Sequence, residues 1–218
     1  MEKLIQLYDN KYLRSLIQLV PLGIGSAVDV YIKEIIDKIW SERLITFFDQ
    51  LIEGQIELTD NLIKSENFLH NYFSTVRVVL NTKRREKIIL IGKLFNTAIN
   101  QNIVNKEDDF FESNLKILDE LSFTEIEILQ ILKKLEEKTS PTEEHKNAKL
   151  KANQEIWLEF KDIVNNRFGI NSNSLDEVLI RIERTGCIYI PRISANDYRP
   201  YCGITTNIFS ELIRLIKA

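Results

Sequence analysis

The feature that most restricts this chain is the return of apolar side chains at helical spacing along nearly its whole length. Phe68, Leu69, Tyr72, Phe73, Val76, Val79 and Leu80 recur three and four residues apart, which places them on one side of a helix that turns every ~3.6 residues. Ile88, Ile91, Leu94, Phe95, Ala98 and Ile99 repeat the pattern, as do Ile128, Leu129, Ile131, Leu132 and Leu135. Ile156, Trp157, Phe160, Ile163 and Val164 repeat it again. A helix with such a stripe is stable only when the stripe is covered, so several of them in one chain require helix packed on helix. Seven glycines and four prolines in 218 residues leave few breaks, and the helices must be long. The expected class is mostly α.

Start and stop signals divide the pattern. Leu4, Ile5, Tyr8, Tyr12, Leu13, Leu16 and Val20 outline a first helix, with Pro21, Gly23 and Gly25 as its turn. Ser26 is placed to cap a long second helix with Ile39, Leu44, Phe47, Phe48 and Leu51 inward and Gly54 as its stop. Ser65 caps the stripe through Tyr72, and Thr82 reads as the cap of the next. Phe110, Phe111, Leu115 and Leu118 form a shorter connector, so residues 1–118 are expected to be a helical bundle and 119–218 a second domain.

That second domain opens on Ser122-Phe123-Thr124-Glu125, a capping box in which the serine accepts from the glutamate's amide and the glutamate reaches back. A charged segment, Lys138 to Lys149, reads as a loop before a helix from Leu150 to Phe168 that Gly169 stops. Ser174-Leu175-Asp176-Glu177 repeats the capping pattern ahead of Val178, Leu179 and Ile182, and Gly186 closes that helix. Two extended pieces follow, Cys187 to Ile190 and Tyr201 to Ile204. Thr205 or Thr206 then caps a last helix with Ile208, Phe209, Leu212, Ile213 and Ile216 on one face. Three helices, a short β-hairpin and a helix give the order of a winged helix-turn-helix, so a winged-helix-like C-terminal domain is expected.

The formal net charge of −3 is spread evenly: fifteen basic against sixteen acidic residues in 1–118, fourteen against sixteen in 119–218. Neither half carries the basic footprint of a nucleic-acid binder. On the winged-helix reading, Leu175 to Thr185 is the recognition helix. Arg181 and Arg184 face outward from it, and Arg192 and Arg199 follow in the loop, placed to meet phosphates or guanine edges. Asp176, Glu177 and Glu183 on the same helix oppose that use. A second cluster, Lys83, Arg84, Arg85 and Lys87, lies at a helix start, where cations add to the positive end of the dipole and an anionic partner would relieve them. Its plainer reading is a solvated turn paired with local glutamates.

Nothing in the sequence assembles a catalytic group. His70 and His145 are the only histidines, no spacing supplies zinc ligands, and no G-x-G-x-x-G or P-loop occurs, so no metal or cofactor is expected. Cys187 and Cys202 read as reduced core thiols of a cytoplasmic protein. The apolar run Ser15 to Val28 is shorter than the ~20 residues that span a bilayer and is read as a buried helix pair, which makes a membrane partner the weaker choice.

Thr82-Lys83-Arg84-Arg85-Glu86-Lys87 running into Leu90 to Ile99, and Gly203-Ile204-Thr205-Thr206 before the terminal helix, resemble small bacterial proteins of the abortive-infection alpha type and related families. Their closing Leu-Thr-Pro-Phe-Gly has no proline or glycine counterpart in Thr205 to Phe209 here. The resemblance implies a bacterial, cytoplasmic, phage-defence-associated protein with no enzymatic activity. Taken together, the expectation is a non-enzymatic protein that works by protein–protein interaction, with a winged-helix DNA- or RNA-binding regulator as the alternative.

Overall fold

A computed structural model describes residues 15–16, 30–56, 58–104, 109–138, 146–191 and 203–217; for 30–36 and 146–155 it describes the backbone alone. Of the first expected helix, Ser15 and Leu16 fall within these residues. The Pro21–Gly25 turn, the Ser26 cap, His145, Arg192, Arg199 and Cys202 lie outside them.

The described residues form nine helices and one two-stranded antiparallel hairpin. The helices are α1 (Val30–Glu53), α2 (Asp60–Ile63), α3 (Glu66–Asn81), α4 (Arg85–Asn100), α5 (Phe110–Glu120), α6 (Phe123–Lys138), α7 (Lys146–Phe168), α8 (Ser172–Glu183) and α9 (Asn207–Lys217). Between α8 and α9, β1 (Ile188–Tyr189) pairs with β2 (Ile204–Thr205), Ile188 opposite Thr205 and Tyr189 opposite Ile204. The mostly α class holds. The chain divides into two compact units, Met1–Asp119 with Arg214–Ala218, and Glu120–Ile213.

The first unit is organised on Phe95 of α4, which is fully buried. Its ring lies 5.9 Å from Phe47 of α1, 6.0 and 6.2 Å from Phe68 and Tyr72 of α3, and 5.8 Å edge-on from Phe111 of α5. Tilted and edge-on pairs of this kind add to simple burial because the ring edge meets the π face of its neighbour. Helices α1 and α4 come close at Gly92, where an added Cβ would stand 2.6 Å from the Gln50 Cβ. Buried polar side chains tie distant segments to this core: Asn71 donates to the Val104 carbonyl at 3.0 Å, Tyr72 to Leu16 at 2.6 Å and Thr97 to Leu215 at 2.7 Å. The Asn-rich end of α4 stops as expected. Asn102 takes φ 54, and the Ile103 amide returns to the Ala98 carbonyl at 2.7 Å.

In the second unit, α6 packs on α7 and on β2, while α8 packs on α7 and β1. The Ser122 box forms as read: the Glu125 amide donates to Ser122 Oγ at 3.2 Å and the Ser122 amide to Glu125 Oε2 at 2.7 Å. Gly169 and Gly186 take φ 68 and 74 at the ends of α7 and α8. Gly203 lies against the Trp157 indole, where a Cβ would come within 3.0 Å of the ring. Glu136 of α6 fastens the hairpin by accepting from both the amide (2.6 Å) and the hydroxyl of Thr205.

Several local assignments are corrected. Thr82 does not cap α4. Its hydroxyl donates back to the Val78 carbonyl at 2.8 Å and finishes α3, leaving Arg84 at the start of α4 with no side-chain cap. Helix α8 starts at Ser172 because Asn171 supplies the capping oxygen, accepting from the Ser174 amide at 3.0 Å. Residues 146–149, placed in a loop by their charge, begin α7. Of the two threonines, Thr206 caps α9, accepting from the Phe209 amide at 3.4 Å, and Thr205 belongs to β2. Ile39, Phe73 and Ile208, each assigned to a buried stripe, are exposed, and Leu215 is buried in place of Ile208.

Gly92→Ala tests the close crossing of α1 and α4. Helix propensity alone would stabilise by ~1 kcal/mol, but the clash with Gln50 should win and destabilise by about 1–3 kcal/mol. Urea unfolding measures the sign.

Candidate functional site

The basic turn is real but smaller than its sequence. Lys83, Arg84 and Arg85 are exposed between α3 and α4, and Arg84 Nε stands 3.9 Å from Glu86 Oε2. Lys87 does not join them. It is 9% exposed, and its ammonium donates to the Asp119 carbonyl at 2.6 Å. The pattern holds the reason: Lys87 precedes Ile91 by four residues, so it lies on the core side of α4.

The arginines of α8 part in the same way. Arg181 Nε donates to Glu125 Oε1 at 2.7 Å, and the Glu125 side chain is 4% exposed against 57% for Arg181. One edge of that guanidinium is therefore committed to a buried carboxylate. Arg184, one turn on, is exposed, and the two line a shallow hollow with Glu120, Leu121, Glu125 and Thr185. Arg192 and Arg199 lie outside the described residues.

Two apolar features escaped the sequence reading. On the hairpin, Tyr189 and Ile204 are direct cross-strand partners, so their side chains share a face, and they are 57% and 42% exposed. Ile208, 47% exposed, follows at the start of α9 beside Gly186. Alternation along the strand was the available signal: Ile188 and Ile190 are buried, and Tyr189 between them turns out. In the first unit, a hollow of about 540 Å3 is lined by Trp40 of α1 and by His70, Phe73, Ser74, Val76, Arg77, Leu80 and Asn81 of α3. Phe73 could have announced it. Adjacent residues on a helix are ~100° apart, and with Tyr72 at the centre of the inward arc Phe73 falls at its edge.

The ionisable groups whose acidity the fold clearly moves are not exposed to a substrate. Burial pushes the Tyr72 phenol above its ordinary value, with its hydroxyl on the Leu16 carbonyl. Burial also pushes the Cys187 thiol up, against a smaller opposite pull from the Thr185 side chain. A raised thiol pKa means less thiolate, so Cys187 is a poor nucleophile where it stands. Among the described residues, no three His, Cys, Asp or Glu side chains gather as a metal-binding group, and no helix is long and apolar enough to cross a membrane. The chain matches no family model, no curated protein and no solved structure.

Lys87→Ala should destabilise by about 1–3 kcal/mol, because it removes the packing of a buried lysine stem together with a part-buried, charge-assisted hydrogen bond to the Asp119 carbonyl. Lys83→Ala should stay within ~0.5 kcal/mol, as an exposed side chain does. Thermal denaturation of the two variants separates the buried lysine from the surface one.

Proposed function

We propose that this chain is a non-enzymatic, macromolecule-binding protein that acts through protein–protein contact, with the hairpin of its second unit as the contact face. The observation that carries this reading is the exposed pair Tyr189 and Ile204 on the outer face of the two strands. A tyrosine beside an aliphatic residue is the composition of an interface centre. Two of the basic side chains that sequence offered to an anionic partner are meanwhile engaged within the chain, Arg181 with Glu125 and Lys87 with the Asp119 carbonyl.

The finer assignment of the second unit is winged-helix-like. Its support is the order α6, α7, α8, β1, β2, α9 and the packing of α8 on β1 and of α6 on β2. In this reading the two described strands of the wing turn Tyr189 and Ile204 outward, which favours a protein over a phosphate backbone. The bacterial phage-defence setting rests on the resemblance of the basic turn and the closing segment alone.

A second reading, a DNA- or RNA-binding regulator, is favoured by one observation, the exposure of Arg184 together with Lys83 and Arg85. Placing the photoreactive residue p-benzoylphenylalanine at position 189 or, as control, at position 159 in living cells distinguishes the two. The protein-binding reading predicts a covalent protein adduct from position 189, none from position 159, and no salt-sensitive shift of duplex DNA or RNA. No adduct at 189, with a nucleic-acid shift that Arg184→Gln weakens, overturns it.

A further inference from the structure

The first unit holds a hollow that the hairpin reading does not use, and it pairs an apolar wall with one uncommitted cation. We propose that this hollow binds a small organic monoanion with an apolar body, an aryl or medium-chain acyl carboxylate.

The geometry is that of a ligand site. A volume of about 540 Å3 lies within the roughly 300–1,000 Å3 typical of small-molecule clefts. Trp40 of α1 and Phe73, Val76 and Leu80 of α3 form the apolar lining. Phe73 is 38% exposed, a sizeable uncovered ring for a protein surface. Flat aromatic walls take rings by stacking or edge contact and take alkyl chains by simple burial, so the wall selects for an apolar body without choosing its shape.

Charge selection comes from Arg77. Its side chain is exposed on the hollow and makes no hydrogen bond or ion pair among the described residues. Arg43 shows the contrast, since its guanidinium donates to the Leu80 carbonyl. A guanidinium offers two parallel donors that match the two oxygens of a carboxylate. The other basic group on the lining, His70, has its Nε2 2.5 Å from Glu112 Oε1 and is engaged there. Arg77 also borders an adjoining hollow with Glu112, Lys116 and Asp119, and those carboxylates limit the negative charge the site accepts: a monoanion fits and a polyphosphate is opposed. Ser74 and Asn81 add neutral hydrogen-bonding groups beside Arg77. A second copy of the chain, or an apolar side chain from another protein, would use the same wall but has no need of an isolated arginine.

The test uses the full chain with two matched probes, decanoate and uncharged decan-1-ol, followed by calorimetry and by tryptophan emission. Saturable one-site binding of decanoate is expected, with a change in emission that Trp40→Phe removes while the heat remains. Arg77→Gln should weaken decanoate by about tenfold, the scale of one charge-assisted pair, and leave decan-1-ol unchanged. Phe73→Asp should abolish both, with circular dichroism unchanged because Phe73 is exposed, and Lys134→Gln on α6 should affect neither. Equal binding of acid and alcohol that ignores Arg77→Gln overturns the proposal, as does no saturable heat from decanoate or 3-phenylpropanoate. Light scattering that shows self-association lost in Phe73→Asp, without bound anion, overturns it in favour of docking by a second copy.

Discussion

A carboxylate taken out of water must be met by donors, and in the second unit Glu125 is such a group. Its two oxygens are divided between two tasks. Oε2 accepts from the Ser122 amide and sets the first turn of α6, and Oε1 accepts from Arg181 and draws α8 to the same point. Start of helix and position of helix are thus fixed by one side chain. The hairpin depends on the same helix, because Glu136, three turns along α6, holds Thr205 by its amide and hydroxyl. What reaches the surface is set by that inward demand. Arg181 is oriented by Glu125 and Thr205 by Glu136, and the cross-strand pair next to Ile188 and Thr205, Tyr189 with Ile204, is turned out.

The first unit reaches a similar end by packing. Phe95 gathers rings from three other helices, and Gly92, one turn earlier on α4, lets α1 come close enough for Phe47 to join them. Asn71, Tyr72 and Thr97 spend their polar atoms on carbonyls of distant segments, which buried groups must do to avoid an unmet hydrogen bond. Once these are subtracted, the groups left uncommitted define the candidate surfaces: Arg77 with its apolar neighbours in one unit, the hairpin pair in the other.

The helical class was legible because a period near 3.6 is hard to imitate, and the capping box at Ser122 because its two bonds are both local. Boundaries were less so. Asn171 outcompeted Ser174 as a cap, and Thr82 bonded backward to Val78 where a forward bond to α4 was expected; both choices turn on backbone direction, which a residue type does not carry. The site residues divided on one physical question, whether a charge is claimed by something distant in sequence. Lys87 is claimed by Asp119 and Arg181 by Glu125, 32 and 56 residues away, and no spacing rule reaches so far. The reverse error hid Phe73 and Ile208. Their apolar character placed them in stripes whose inward arc was already full.

The central claim is that the charged side chains of the second unit serve the scaffold before any partner. A double-mutant cycle of Glu125→Ala and Arg181→Ala tests it most directly, in a Trp40→Phe background so that buried Trp157 reports unfolding of this unit alone. Because Arg181 is more than half exposed, the coupling should fall below that of a fully buried pair, at about 1–2 kcal/mol. Additive losses, equal within ~0.5 kcal/mol to the sum of the single variants, would contradict the account and return Arg181 to the surface as a group free to bind.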